Sequence, residues 1–258
     1  IGLFLLGMIL MTDGLKTAAG DAMKTVLGKF TGGPVRGMVS GAALTALVQS
    51  SSATTLATIG FVSAGLLTFP AALGVIFGIN IGTTSTGWIV SLLGLKFKIS
   101  VVAMPLVGIG ALMRLLGPGK LGAYGTALAG FGLIFVGIDV LQSGMSDLAT
   151  RIDPSRFPQG PFFGRILLII IGFVMTVVMQ SSSAAVATTL TALHSEAITL
   201  PQAAALVIGQ NVGTTVKAML AAIGGSVAVK RTAVAHILFN VVTGVAAFIL
   251  LPAFLWGI

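Results

Sequence analysis

Two hydroxyl-rich runs interrupt an otherwise apolar chain, Gln49-Ser50-Ser51-Ser52 and Gln180-Ser181-Ser182-Ser183. Each is followed, 31 residues after its glutamine, by Asn-x-Gly-Thr-Thr, at Asn80–Thr84 and Asn211–Thr215. Serine hydroxyls donate hydrogen bonds. A helix that starts beside them adds free N–H groups and a partial positive charge, a combination suited to an oxyanion. The carbonyl oxygens of Gln49 and Gln180 and the hydroxyls of Thr54, Thr55, Thr188 and Thr189 offer hard oxygen ligands to a small cation. Glycine relaxes the backbone after Asn80 and Asn211, so unwound carbonyls there can coordinate Na⁺. Such a site is neutral and needs cations to balance a bound anion. Serine and threonine in apolar helices also bond back to their own carbonyls or join helices, and for one isolated cluster that is the better reading. Duplication of the whole pattern favours binding.

Other residues weigh less. Lys217 stands where the repeat places Thr86, and an ionisable group inside an apolar helix is a functional hypothesis by default. It can supply a fixed positive charge that replaces one Na⁺ or contacts the anion, or it can snorkel to an interface without a role. Asp139 reads as a loop-proximal carboxylate, and His194 and Glu196 as solvated. His236 and Asn240, four apart, read as a clamp to each other or to a neighbouring helix. There is no nucleophile–base constellation, metal-ligand cluster or GxxxxGK[ST] loop, and no cysteine, so the expected protein is no enzyme and carries no cofactor.

The elements that hold these residues must lie in a membrane. Apolar residues make up 56% of the chain and charged ones 8%, with a mean hydropathy of +1.09, and the 59 residues between Arg36 and Lys96 contain no charge. The net charge of +8 belongs to bases that flank apolar runs, where they meet anionic headgroups rather than nucleic acid. The opening at Ile1, with neither methionine nor a basic leader, reads as the start of an excised core and not as a signal peptide.

An offset of 131 superimposes the two halves, with 14 identities in the 36 positions from 49 to 84, and Pro70 falls on Pro201. Gly2, Leu3, Gly7 and Gly14 match Gly132, Leu133, Gly137 and Gly144 at an offset of 130. The expected fold is therefore all-α and polytopic, in two copies, 1–130 and 131–258. Each copy should have an opening helix (1–12; 121–142) and a polar stretch (to Arg36; Ser143–Arg165). A helical hairpin about the Gln-Ser-Ser-Ser turn should follow, with arms too short to span, then a helix broken at Asn-x-Gly-Thr-Thr and a closing helix (99–116; 232–256). A re-entrant hairpin leaves three crossings per copy, and an odd number inverts the second copy. Inverted repeats with binding at their interface are a secondary-transporter design. Eight bases (Lys16, Lys24, Lys29, Arg36, Arg114, Lys120, Lys230, Arg231) against five (Lys96, Lys98, Arg151, Arg156, Arg165) place the first hairpin on the cytoplasmic side.

The paired QSSS motifs, the stretches GINIGTT and GQNVGTT, the opening GLFLLGMILMTDGL and the late AHILFN resemble the sodium-dependent phosphate cotransporters of type II and their bacterial relatives, over nearly the whole chain. The resemblance implies a multi-pass cell-membrane protein, usually a homodimer, that couples inorganic phosphate to Na⁺ by alternating access. By motif match, phosphate contacts fall on Ser50, Ser51, Ser52, Ser181, Ser182 and Ser183. Sodium ligands are drawn from Gln49, Thr54, Asn80, Thr83, Gln180, Asn211 and Thr214. The family more often has a small polar residue at Lys217. Competing readings are another oxyanion such as arsenate or sulfate, a passive anion channel, and a sensor that binds phosphate without transport.

Overall fold

The computed structural model describes residues 1–29, 32–96, 100–149 and 162–256. Lys98, Arg151 and Arg156, three of the bases used to orient the chain, and most of the polar connection after Ser143 lie outside these residues. The described residues form an all-α membrane protein. The helices are α1 (Gly2–Lys29), α2 (Pro34–Val48), α3 (Ser51–Ser63), α4 (Phe69–Trp88), α5 (Ser100–Leu116), α6 (Lys120–Ala149), α7 (Phe163–Met179), α8 (Ser182–His194), α9 (Leu200–Gly213), α10 (Thr215–Ala221) and α11 (Val227–Trp256). A π-helical segment, Ile89–Lys96, continues α4. Among the described residues, four stretches are long and apolar enough to cross a membrane: Gly2–Ala22, Phe69–Leu95, Lys120–Asp147 and Val227–Trp256. Bulky apolar side chains such as Val101, Phe163 and Trp256 cover the outside, as lipid contact requires.

Prolines mark the helix starts: Pro34, Pro70 and Pro201 each occupy the first turn, where the missing N–H costs nothing. Glycines then set the packing. A Cβ on Gly78 would collide with the Met38 carbonyl oxygen, and one on Gly41 with that of Val75. At the same offset of 131, a Cβ on Gly209 would collide with the Ile169 carbonyl oxygen and one on Gly172 with that of Leu206. Thus α2 lies backbone to backbone on α4, and α7 lies on α9 in the same register, by the close approach that small residues permit. At 1.5 Å per residue, the 15 and 13 residues of α2 and α3 reach about 23 and 20 Å, short of a bilayer core of about 30 Å, and the 17 and 13 of α7 and α8 reach about 26 and 20 Å.

Two expectations change. The opening helix does not give way to a separate stretch after Thr12, because nothing there breaks a helix and α1 runs on to Lys29. The interruption expected at Asn80–Thr84 is absent, and α4 passes through it unbroken. Gly82 is there for contact with α2, not for unwinding: an added Cβ would meet Ala42 and Thr45. In the second copy the chain does break, at Thr214. There the Thr214 and Thr215 hydroxyls donate to the carbonyls of Asn211 (2.5 Å) and Val212 (2.8 Å) and so compete with the helix for them.

One buried cluster, with Phe4, Met8, Ile134, Phe135 and Ile138 at its centre, joins α1 to α6 and reaches Val90 and α8. Another, built on Ile59, Ala218, Val229 and Ala233, ties α3 to α10 and α11. Both clusters link the two copies.

Candidate functional site

Each Gln-Ser-Ser-Ser run is a helix stop followed at once by a helix start. Gln49 and Gln180 end α2 and α7 in the left-handed region, at φ 54° and 53°. Their side-chain amides turn back onto the last helical turn, Gln49 Nε2 donating to the Ala46 carbonyl and Gln180 Nε2 to that of Val177, each at 2.5 Å. These carbonyls would otherwise lack a partner. Ser50 and Ser181 then cap α3 and α8, their Oγ atoms accepting the N–H of Ala53 and of Ala184 at 3.2 Å. The N–H groups of the first helical residues, Ser51 and Ser52 in α3 and Ser182 and Ser183 in α8, have no acceptor inside the helix and add to its positive end.

The two copies reach into each other at equivalent positions. Thr86 donates through Oγ1 to Gln49 Oε1 (2.9 Å) and accepts from Ser183 Oγ of the other copy (3.3 Å). Lys217, which the offset equates with Thr86, donates through Nζ to the Gln180 carbonyl of its own copy and to Ser52 Oγ of the other (3.1 Å). Ser52 and Ser183 are themselves 131 apart, so the exchange is reciprocal. Ser85 adds an oxygen beside Gln49, accepting from its Nε2 at 2.9 Å.

Around Lys217 the polar residues close on a cavity of about 10 Å³, room for roughly one water. Ser51, Ser52, Asn80 and Thr83 line it from the first copy, and Asn211, Thr214, Lys217 and His236 from the second. A twin of about 10 Å³, which shares Ser52, Thr214 and Lys217 with it, is lined further by Gln180, Ser181 and Ser182. Among the described residues no carboxylate lines either, and Lys217 carries their formal charge. A larger, mostly apolar cavity of about 680 Å³ lies between α4, α8, α9 and α11, with Trp88 and Phe239 in its wall. Asn80, Thr83 and Asn211 line both this vestibule and the small cavity.

Of the residues named from sequence, Ser51, Ser52, Asn80, Thr83, Asn211, Thr214 and Lys217 converge on one cavity, with Gln180, Ser181 and Ser182 on its twin. Gln49 and Ser183 meet at Thr86 instead. The Ser50 and Ser181 hydroxyls serve as caps, and Thr54, fully buried, donates to the Ser50 carbonyl at 3.2 Å. Thr55 lines the cavity, Thr188 donates to the Ala184 carbonyl, and Thr189 accepts from Gln210. His236 is not seen in a clamp: Asn240 Nδ2 donates to its main-chain carbonyl (2.9 Å), and its Nδ1 is buried without a partner. Gln210 was not singled out, yet it is fully buried and bridges α9 to α8 through the Ala185 carbonyl (3.2 Å) and Thr189 Oγ1 (2.7 Å). Its polarity against Ile79 at the equivalent position was the available signal.

A tight cluster of hydroxyls, amides and helix starts with one cation among them has the chemistry that suits an oxyanion. The chain is 34% identical to an uncharacterized protein, YqeW of Bacillus subtilis, over 94% of its own length and 77% of the relative's. It is 30% identical to the putative inorganic phosphate export protein YjbB of Escherichia coli over 98% of its length, spanning 45% of that relative. A 75-residue stretch, 29% of the chain, is 44% identical to the sodium-dependent phosphate transport protein 2A of the rat, covering 12% of it. No solved structure matches. The family profile described as Na⁺/Pi-cotransporter matches residues 3–143 and 163–252, and the chain belongs to this family of phosphate transporters, which is not a family of enzymes.

Proposed function

We propose that the chain is the transport core of a secondary transporter that couples Na⁺ to the movement of inorganic phosphate by alternating access. The observation that carries this reading is the convergence of both Gln-Ser-Ser-Ser turns and both Asn-x-Gly-Thr-Thr runs on paired cavities without a carboxylate. Phosphate is held by the Ser51, Ser52 and Ser182 hydroxyls and by the starts of α3 and α8. Ser50 and Ser181 act by capping those starts, and Ser183 acts through Thr86. Na⁺ is held by oxygens of Asn80, Thr83, Asn211 and Thr214 on the cavity and of Gln49 beside Thr86, with Thr54 supporting Ser50 from behind, while the Gln180 carbonyl is taken by the Lys217 ammonium.

Residues 1–130 and 131–258 form two inverted repeats in a cell membrane, each with a re-entrant hairpin, α2–α3 and α7–α8, whose arms are too short to cross. The residue-for-residue recurrence of the glycine packing supports the repeat. A cavity too small for phosphate beside a vestibule of about 680 Å³ fits a closed stage of an alternating cycle. The transporter works as a homodimer.

The test is uptake of radiolabelled phosphate into proteoliposomes under an inward Na⁺ gradient, against an equal K⁺ gradient. Concentrative uptake that requires Na⁺ and falls at least tenfold in Ser51→Ala or Ser182→Ala is expected. Equal uptake in Na⁺ and K⁺ by folded protein refutes the coupling, and passive equilibration indicates a channel.

A further inference from the structure

We propose that the Lys217 ammonium is a tethered coupling cation. In the second repeat it fills the place that neutral Thr86 leaves to a soluble cation in the first, so the protein binds one Na⁺ fewer per phosphate than it would with a hydroxyl at 217. The inference rests on the phosphate reading above and deepens it.

Three observations carry it. Positions 86 and 217 are equivalent in the duplication, and their contacts exchange reciprocally: each residue touches the glutamine of its own repeat and the third serine of the other repeat's motif. The partners of the ammonium are a main-chain carbonyl and a hydroxyl, neutral oxygens of the kind that ligate an alkali cation. Among the described residues no carboxylate lines either cavity around it, so its half-buried charge has no anionic partner there, at some cost in free energy. A bound oxyanion relieves that cost as Na⁺ would, without a cation being drawn from solution.

The stem gives this device its second property. Four methylenes let the ammonium swing from the Gln180 carbonyl and Ser52 toward an anion seated between α3 and α8, and it stays with the protein when the anion leaves. The charge is thus present in every cycle, whatever the Na⁺ concentration. The Thr86 corner, with Gln49 Oε1 and the Ser85 and Ser183 hydroxyls at hand, keeps the composition of a soluble-cation site.

The experiment is calorimetric titration of the purified full chain with inorganic phosphate over a series of Na⁺ concentrations. The slope of log Kd against log Na⁺ counts the Na⁺ bound with phosphate. Lys217→Thr is expected to steepen that slope by one, so that a tenfold fall in Na⁺ weakens phosphate binding by about a further factor of ten. The reciprocal variant Thr86→Lys is expected to flatten it by one, which keeps the proposal testable if Lys217→Thr fails to fold. Lys217→Arg should leave the slope at the wild-type value. An unchanged slope in Lys217→Thr overturns the assignment, and so does loss of phosphate binding at every Na⁺ concentration in folded Lys217→Thr, because Na⁺ then cannot stand in for the ammonium. Failure of the wild-type protein to bind phosphate in Na⁺ would instead sink the transporter reading.

Discussion

Replacing Thr86 by valine keeps the shape of the side chain and deletes the hydroxyl that joins the repeats. Thr86 is 5% exposed, and its hydroxyl donates to a Gln49 that is 8% exposed and accepts from a Ser183 that is 9% exposed. Hydrogen bonds between membrane helices average about 0.6 kcal/mol, so two lost bonds set a floor near 1 kcal/mol. Gln49 Oε1 loses this donor where little water reaches, and an acceptor left unsatisfied costs about 1–3 kcal/mol, which sets the ceiling. Thr86→Val should therefore lose about 1–3 kcal/mol in unfolding by sodium dodecyl sulfate in mixed micelles, followed by the fluorescence of nearby Trp88. Its double-mutant cycle with Ser183→Ala should show a coupling of about 0.5 kcal/mol or more, since the two side chains are in direct contact. A loss under about 0.5 kcal/mol, or additive single effects, would show that the bridge between the repeats contributes nothing and would remove the argument for pairing Thr86 with Lys217.

Ser50→Ala and Ser181→Ala should each lose about 1 kcal/mol in the same assay, equally in the two repeats, as the loss of a helix cap predicts. Their phosphate affinity in Na⁺ should fall less than that of Ser52→Ala, and a larger fall would mean that the capping serines touch the anion. Gly209→Ala should cost about 1–3 kcal/mol or more through collision with the Ile169 carbonyl, whereas Gly60→Ala, with open space at its Cβ, should gain about 0.5–1 kcal/mol. Thermal unfolding in detergent orders the three proteins, and equal midpoints for Gly209→Ala and wild type would refute the close packing.

The elements of the fold were legible where a physical boundary is written into the residue type. Proline marks the starts of α2, α4 and α9, and the Gln-Ser runs mark where α2 gives way to α3 and α7 to α8. Polarity alone misled at Thr12–Lys29, because charged residues do not end a helix whose backbone has no reason to stop. Glycine misled at Gly82 for a related reason. The same residue that allows unwinding also allows contact, and only the neighbour, α2 in this case, decides between them.

At the site, residue types were legible and pairings were not. The offset of 131 tells that Ser52 and Ser183 are equivalent, and Thr86 and Lys217 likewise, but that each meets the other repeat's member depends on how the two repeats dock. Nor does the offset tell that the first member of each serine triplet caps its helix, with Ser181 lining the twin cavity as well, while the second and third face the cavities and the partner repeat. A run of three serines is thereby divided by helix geometry: the residue before the first turn must close the helix, and those within it are free to close on a ligand. On the proposed reading, this division is why one serine would not serve and why the glutamine precedes them. Its amide stops the incoming helix so that the outgoing one can start, with its positive end at the cavity.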